Sequence, residues 1–344
     1  MNRKTALFLL IASASLAACG GQGASSKEAS SSSAASKTYQ EKYGDFLFTK
    51  TELKPEYYAE VPNHGTVVTE EYDTYAYAYD AQQENPVGTT RIHKRLQVYL
   101  PFGYDKERKY DIAYFMHGGG DDEEYWLTTR AKYILPTLDN LMYNKKCRDV
   151  IIVCPTFYSW PDAEAEVKDD SLNADFPQYF PIELENEVMP LVESKYHTYA
   201  DLDTSDESLI ASRQRRAFCG LSMGSMTSQE VLAACPDKFA YIGSFSGEMT
   251  KKDPDHGYQR LYDALHSEEF NQYKINFWYN QNGTADMAHD PHEDLSKHVL
   301  ADMGDKFVDG ENYAWIDIKG GAHAFNVWWV GLYNTLQLFF PVSK

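Results

Sequence analysis

The stretch AFCGLSMG, residues 217–224, decides how the rest of this chain is interpreted. It joins an apolar run to a serine, Ser222, that has a glycine two residues away on each side. The SMTSQEVLAA that follows has apolar residues at helical spacing. A strand, a G-x-S-x-G turn and a helix together expose a serine hydroxyl above a sheet, with glycines where side chains would clash. The motif is short, so its meaning depends on the surrounding sequence.

On both sides of this motif, short apolar runs alternate with segments of helical length. Each run ends in a loop: DIAYFMHGGG (111–120), DVIIVCPTF (149–157), FAYIGSFSG (239–247), INFWYNQNG (275–283) and YAWIDIKGGAH (313–323). This alternation predicts an α/β fold with a mostly parallel central sheet and helices on both faces. Two earlier runs, GTVVTEEY (65–72) and RLQVYL (95–100), alternate polar and apolar residues and predict half-buried antiparallel strands. Residues 39–344 are predicted to form one domain.

A nucleophilic serine needs a base beside it and a carboxylate that orients the base. In an open α/β sheet these groups collect beyond the carboxyl ends of the strands. His323 follows the last predicted strand, and Asp286, in NGTAD, follows the strand INFWYN. The order Ser222, Asp286, His323 is that of the α/β-hydrolases, so these three residues are the predicted catalytic triad. Asp290, four residues after Asp286, is the alternative acid.

Two backbone amides are predicted to bind the oxyanion that forms when the serine attacks. The HGGG stretch, residues 117–120, follows a predicted strand, and bare glycine backbone can approach a substrate closely. Gly119 and Met223, the residue after the nucleophile, are therefore the expected donors. His117 is expected to hold this loop rather than to act on the substrate.

Aromatic residues near the predicted strand ends could stack on a sugar or on a phenolic ring. Trp126, Tyr158 and Trp160 are the predicted substrate-binding residues, and Trp328 and Trp329 also lie near a strand end. The alternative for each of these aromatic side chains is a place in the hydrophobic core.

Histidines and acids cluster in ADMAHDPHEDLSKH, residues 285–298, but without the spacing of a metal-binding helix. We therefore predict neither a metal site nor an organic cofactor. The GSFSG at 243–247 resembles the serine motif, but its central residue is Phe245, so it is interpreted as the end of a strand.

The composition is that of a globular protein, with 43% hydrophobic and 24% charged residues. A net charge of −19 without a basic stripe argues against a nucleic-acid partner. Cysteines 147, 154, 219 and 235 lack metal-site spacing, and their pairing stays open.

The first residues have the layout of an export signal, with Arg3 and Lys4 before an apolar run. Residues 1–18 are predicted as a lipoprotein signal peptide, because Leu16-Ala17-Ala18-Cys19 resembles a lipobox, with Cys19 as the lipidated residue. A plain secretory peptide is the alternative. Residues 19–38 form a Ser/Ala-rich tether. The protein is therefore expected to be exported, with membrane contact through the N-terminal lipid only.

The segments RLQVYLPFGYD, YFMHGGGDDEEYW, FCGLSMGSMTS, NGTAD and GGAHAFNVWWVGLYNTLQLFF occur in this order. Together they resemble family 1 of the carbohydrate esterases, which includes feruloyl esterases and acetylxylan esterases. The resemblance covers residues 60 to 344 and implies an α/β-hydrolase fold, no metal, plant cell-wall ester substrates and a triad of Ser222, Asp286 and His323. Ser225 departs from relatives that carry a second glycine there, which leaves the packing of the next helix open.

The expected function is removal of feruloyl or related hydroxycinnamoyl groups from acylated xylan or arabinoxylan oligosaccharides. An acetylxylan esterase on the same scaffold is the main alternative. An S-formylglutathione hydrolase fits poorly with export, and a mycolyltransferase-like acyltransferase would differ only in its acceptor. A glycan-binding lipoprotein without catalytic activity is the alternative from another class.

Overall fold

The computed structural model describes residues 49–161, 172–249 and 254–342. The predicted signal peptide, Cys19 and the tether lie outside these residues, so they remain predictions. No helix within the three described segments is both long and apolar enough to span a bilayer.

One eight-stranded sheet organises the described segments, in the order β1-β2-β4-β3-β5-β6-β7-β8. The strands are β1 (Thr66–Tyr75), β2 (Arg91–Leu100), β3 (Asp111–Met116), β4 (Val150–Cys154), β5 (Arg216–Leu221), β6 (Tyr241–Phe245), β7 (Phe277–Gly283) and β8 (Tyr313–Ile318). The ladders from β4 to β8 are parallel, whereas β1 and β2 pair antiparallel with each other and β2 pairs antiparallel with β4. Six of these strands coincide with the apolar runs quoted above.

Nine helices connect the strands in the part of the chain that the structure describes. They are α1 (Tyr77–Gln82), α2 (Ala131–Tyr143), α3 (Asp175–Glu183), α4 (Met189–Lys195), α5 (Asp206–Ala211), α6 (Met223–Ala234), α7 (Pro254–His266), α8 (His289–Asp302) and α9 (Phe325–Phe339). Single π-helical turns occur at Tyr125–Thr129 and Leu184–Val188. Short 3-10 turns occur at Pro55–Tyr57 and Arg213–Arg215.

The strands of the parallel part are buried on both faces, which explains why their sequences are apolar without alternation. In β3, Ile112, Tyr114 and Met116 join the core on one face, while Ala113 and Phe115 join the core on the other. Helices α3, α6, α7 and α8 contribute to the first core, and α2 and α9 contribute to the second. The predicted α/β-hydrolase fold, a mostly parallel sheet with helices on both faces, is confirmed.

The antiparallel edge follows from the alternating sequences of β1 and β2. Side chains of β1 alternate between buried and exposed along its second half, as expected where one face of a strand meets solvent. Cysteines 147, 154, 219 and 235 are all buried, and none of these four forms a disulfide.

Candidate active site

Ser222 lies in the turn between β5 and α6 and has a left-handed backbone conformation, with φ of +53°. This φ is unfavourable for a residue with a side chain, so the surrounding structure must hold it. The Ser222 amide donates a 2.8 Å hydrogen bond to the carbonyl oxygen of Phe245, at the end of β6. The serine therefore stands at the carboxyl end of β5, as the G-x-S-x-G motif predicts.

Both glycines of the motif lie where backbone atoms leave no room for a side chain. A Cβ atom on Gly220 would lie 2.0 Å from the carbonyl oxygen of Gly224. A Cβ atom on Gly224 would lie 2.4 Å from the carbonyl oxygen of His117. The second contact places the serine turn directly against the loop that follows β3.

Three side chains from three loops form one hydrogen-bonded chain at this edge of the sheet. His323 follows β8, and its Nε2 atom lies 2.9 Å from Ser222 Oγ. Its Nδ1 atom lies 2.8 Å from Oδ1 of Asp286, which follows β7. When Nδ1–H donates to the carboxylate, Nε2 is left as the acceptor for the serine proton. The structure thus brings together the three residues predicted as a triad.

The environment of Asp286 favours its ionised form, although its side chain is 0% exposed. Burial raises the pKa of Asp286, but hydrogen bonds from the His323 imidazole and the Ala288 amide, together with the nearby Ser246 hydroxyl, outweigh this effect. The pKa therefore lies below its ordinary value. An ionised carboxylate here can orient the imidazole and stabilise its protonated form.

Asp290, the alternative acid, does not reach the histidine of this chain. Its side chain is 97% exposed and pairs with His289 at 2.9 Å. The structure therefore favours Asp286 over Asp290 as the partner of His323.

Buried side chains hold the loop of residues 117–120. The His117 Nδ1–H donates to the carbonyl oxygen of Gly118 at 2.8 Å, and the Thr156 hydroxyl donates to His117 Nε2 at 2.7 Å. The Lys94 ammonium donates to the carbonyl oxygen of Thr156 at 2.7 Å. Burial lowers the pKa of His117 to about 3, so its imidazole is neutral. These contacts agree with the loop-holding role predicted for His117.

The two predicted oxyanion donors lie on backbone segments that border Ser222. A Cβ atom on Gly118 would lie 3.2 Å from Ser222 Cβ, and one on Gly119 would lie 2.8 Å from Met223 Sδ. Met223 is the first residue of α6, where a backbone amide has no acceptor within the helix. The backbone segments of Gly119 and Met223 therefore border the nucleophile, and their amides remain the predicted oxyanion donors.

The position of the Trp126 side chain contradicts one of the predictions about aromatic residues. Its side chain is only 1% exposed, and its indole N–H donates to the carbonyl oxygen of Met116 at 3.2 Å. The ring belongs to the hydrophobic core on one face of the sheet. The predicted substrate contact of Trp126 is therefore wrong, because packing and a backbone hydrogen bond use the whole side chain.

Tyr158 and Trp160 are stacked beside the loop of residues 117–120. Their ring centroids are 4.2 Å apart with an interplanar angle of 14°, and Trp160 is partly exposed. The Tyr158 hydroxyl accepts a 2.8 Å hydrogen bond from the Gly120 amide. Tyr158 thus holds the loop as well as adding aromatic surface. We call these two residues the aromatic flank.

The GSFSG stretch contributes more to the site than its sequence suggests. After Phe245 ends β6, Ser246 is buried in a left-handed conformation with φ of +61°. The Ser225 hydroxyl donates to the Gly247 carbonyl oxygen at 2.7 Å, so the departure at Ser225 secures α6 to this turn. Sequence reasoning missed Ser246, and the only signal was a pair of glycines beside a strand end.

The segment 285–298 does not assemble a metal site in the structure. No group of three or more His, Cys, Asp or Glu side chains that could hold a metal ion occurs among the residues described. Instead, His289 lies 3.1 Å from Asp317, and His292 is buried against the amide oxygens of Asn280 and Asn282.

Comparison with known proteins finds, among others, two curated relatives that carry xylanase names. The curated "Endo-1,4-beta-xylanase Y" of Acetivibrio thermocellus is 39% identical over 155 residues, covering 45% of this chain and 13% of that protein. The "Endo-1,4-beta-xylanase/feruloyl esterase" of Xylanibacter ruminicola is 27% identical over 192 residues, covering 53% of this chain and 24% of that protein. This chain therefore spans less than a quarter of the length of either relative.

Solved structures share the fold over nearly the whole described chain. A serine-to-alanine mutant of the feruloyl esterase module from Clostridium thermocellum, complexed with sinapinate, is 26% identical with a TM-score of 0.69, covering 86% of this chain and 94% of its own. The CE1 ferulic acid esterase of the fungus Anaeromyces mucronatus is 22% identical with a TM-score of 0.64, covering 85% and 97%.

The Esterase family, described as "Putative esterase", matches residues 90–312. That range includes Ser222 and Asp286 and ends before His323. Because the match covers more than half of the sequence, the chain belongs to the Esterase family.

Proposed function

We propose that this member of the Esterase family is a serine hydrolase that removes feruloyl or related hydroxycinnamoyl groups from acylated xylan or arabinoxylan fragments. The hydrogen-bonded chain from Ser222 through His323 to Asp286, with contacts of 2.9 and 2.8 Å, is the observation that carries the proposal. The same chemistry is needed for any carboxylic ester, so the acyl group requires separate support.

In the proposed reaction, the Ser222 hydroxyl attacks the ester carbonyl while His323 Nε2 takes its proton. The amides of Gly119 and Met223 bind the developing oxyanion, and Asp286 stabilises the protonated imidazole. His323 then gives the proton to the leaving alkoxide. In the second half, His323 takes a proton from water, and the resulting attack releases the acid and restores Ser222.

Two observations support a hydroxycinnamoyl substrate. The aromatic flank offers a stacked ring surface next to the oxyanion loop, and Trp160 is partly exposed there. An aromatic acyl group can stack on such a surface, whereas an acetyl group gains little from it. The relatives with names or titles that mention feruloyl esterase support the same substrate class.

The test compares three ester substrates with the wild-type protein: methyl ferulate, methyl cinnamate and acetylated xylan. We expect the highest kcat/KM for methyl ferulate and stoichiometric labelling of Ser222 by a fluorophosphonate probe. Activity on acetylated xylan alone would replace the proposal with the acetylxylan esterase alternative. No labelling and no hydrolysis would favour a glycan-binding protein.

The proposed location is the outside of the cell, with the N-terminus anchored through lipid on Cys19. The lipobox-like Leu16-Ala17-Ala18-Cys19 and the following tether support this. Metabolic labelling with an alkyne fatty acid should mark the wild-type protein. A Cys19→Ser variant should stay unlabelled, and labelling of that variant would contradict the proposal.

A further inference from the structure

Four polar side chains, Asp121, Tyr125, Arg130 and Trp328, lie beside the triad. The Tyr125 hydroxyl oxygen, Arg130 Nε and Trp328 Nε1 are buried atoms without a hydrogen-bond partner of good geometry among the described residues, although the Arg130 guanidinium is near enough to oppose the rise in the pKa of Tyr125 that burial causes. Buried polar atoms in native proteins usually have partners. We call these four residues the polar flank.

The members of the polar flank are contiguous with one another and with the triad. The Arg130 guanidinium lies 5.3 Å from the Tyr125 ring centroid and 4.9 Å from that of Phe325. The Tyr125 and Trp328 ring centroids are 6.4 Å apart, and the Trp328 ring meets the His323 ring edge to face at 5.1 Å. The cluster therefore extends from the imidazole of His323 to the guanidinium of Arg130.

Asp121 joins this cluster from the position directly after the loop of residues 117–120. A Cβ atom on Gly118 would lie 3.2 Å from Ser222 Cβ and 3.7 Å from Asp121 Oδ2, so the carboxyl group and the nucleophile border the same glycine. Burial raises the pKa of Asp121 to about 6, and Arg130 opposes that rise. No carboxylate lies within 4.0 Å of Arg130 in the part of the chain that the structure describes.

The chemistry of the polar flank matches vicinal hydroxyl groups. Each hydroxyl can donate to one group and accept from another, and the partly exposed Asp121 and Arg130 offer a carboxylate acceptor and guanidinium donors, whereas Tyr125 and Trp328 are buried. A carboxylate ligand fits less well, because Asp121 would repel it when ionised. A purely apolar ligand would cover Asp121 and Arg130 without giving either a hydrogen-bond partner.

The position relative to His323 indicates which half of the ester lies here. His323 must protonate the leaving alkoxide, so the alcohol half of the substrate lies next to the histidine during acylation. The polar flank contacts His323 through Trp328, whereas the aromatic flank adjoins Gly120. We infer that the polar flank is a subsite for the sugar that carries the ester, with Asp121 and Arg130 binding vicinal hydroxyl groups of that sugar.

This inference rests on the proposed function, and the experiment separates the two. The probes are methyl ferulate and the feruloyl ester of arabinose, which share the acyl group and differ only in the alcohol. The variants are Asp121→Asn and Arg130→Met. The control is Arg108→Met, since Arg108 also lies over a tyrosine ring, at 5.1 Å from Tyr110, but pairs with Asp149.

We expect both variants to lower kcat/KM for the arabinose ester about 10- to 100-fold, the range of a lost hydrogen bond to a charged group. Methyl ferulate should change less than about threefold, and Arg108→Met should affect neither substrate. Equal losses on both substrates, or no loss on the arabinose ester, would overturn the sugar subsite. Thermal unfolding of each variant shows whether it is folded.

If the wild-type protein hydrolyses neither feruloyl ester, the proposed acyl group fails and the subsite can still be tested. The same variants are then compared on an acetylated xylo-oligosaccharide and on 4-nitrophenyl acetate. A selective loss on the sugar ester would support the subsite, and parallel losses would reject it.

Discussion

The triad histidine and the polar flank lie side by side but differ in how their polar groups are engaged. His323 bonds to Ser222 and Asp286, and the adjacent His117 uses both ring nitrogens. In the polar flank, polar atoms of three side chains have no hydrogen-bond partner of good geometry among the described residues. Groups that perform the chemistry are aligned before substrate arrives, which lowers the cost of reaching the transition state. Groups that recognise the substrate would form hydrogen bonds only when the substrate binds.

The test with the largest expected effect on activity changes the triad carboxylate. Asp286→Asn should lower kcat for methyl ferulate and for the arabinose ester to the same extent, by about 10⁴-fold. The amide cannot both accept from His323 and stabilise its positive charge. Steady-state kinetics on both substrates measure the effect. A loss confined to one substrate would contradict a role of Asp286 in the chemistry itself.

The second test loosens the oxyanion loop without touching the substrate. Thr156→Val removes the donor to His117 Nε2, so the loop that carries Gly119 becomes less fixed. We expect kcat to fall about 10- to 100-fold. This loss is at most as large as the loss in kcat when one oxyanion donor is removed. Thr335→Val is the matched control, because its buried hydroxyl bonds to the Gly331 carbonyl within α9. Equal effects of the two variants would show that Thr156 acts only through stability.

The third test uses the raised pKa of Asp121, about 6, in the polar flank. Below this pH the carboxyl group is protonated and accepts hydrogen bonds less strongly, and above it the group is ionised. The ratio of kcat/KM for the arabinose ester to that for methyl ferulate should therefore fall several-fold between pH 8 and pH 5. Two nearby charged groups act on this pKa in opposite directions: Arg130 lowers it and Asp122 raises it.

The ratio removes effects of pH on the chemical step, which both substrates share. In Asp121→Asn the ratio should no longer change with pH. A pH dependence that persists in this variant would assign the titration to another group.

The smallest expected effect concerns the free energy of unfolding. Tyr125→Phe removes a buried hydroxyl without a partner of good geometry and should change stability by less than about 1 kcal/mol, in either direction. Tyr99→Phe removes a buried 2.6 Å hydrogen bond to Asp139 and should cost about 1–3 kcal/mol. Urea unfolding of both variants gives the comparison. A larger loss for Tyr125→Phe would indicate that its hydroxyl is engaged.

The sequence predicts the sheet and the candidate triad for clear physical reasons. The parallel strands are buried on both faces, so they form continuous apolar runs such as that of β3. Ser222, Asp286 and His323 each follow such a run, and the carboxyl ends of parallel strands meet at one edge. The positions of all three can therefore be read from the order of strands and loops.

Other features depend on packing that no local pattern encodes. Trp126 and Tyr158 are both aromatic and both near strand ends, yet one is in the core and the other holds the oxyanion loop. The bond between Thr156 and His117 joins residues 39 positions apart. Within the described residues no carboxylate lies within 4.0 Å of Arg130, and the sequence cannot show this.

The contact between Gly224 and the His117 carbonyl oxygen has a consequence for how such enzymes diversify. It joins two main-chain segments directly, so backbone packing, supported by the buried His117 and Thr156, sets the spacing between the serine turn and the loop of Gly119 rather than the side chains of the outer walls. Mutations in those walls can then exchange one ester for another during evolution while the reaction centre keeps its dimensions.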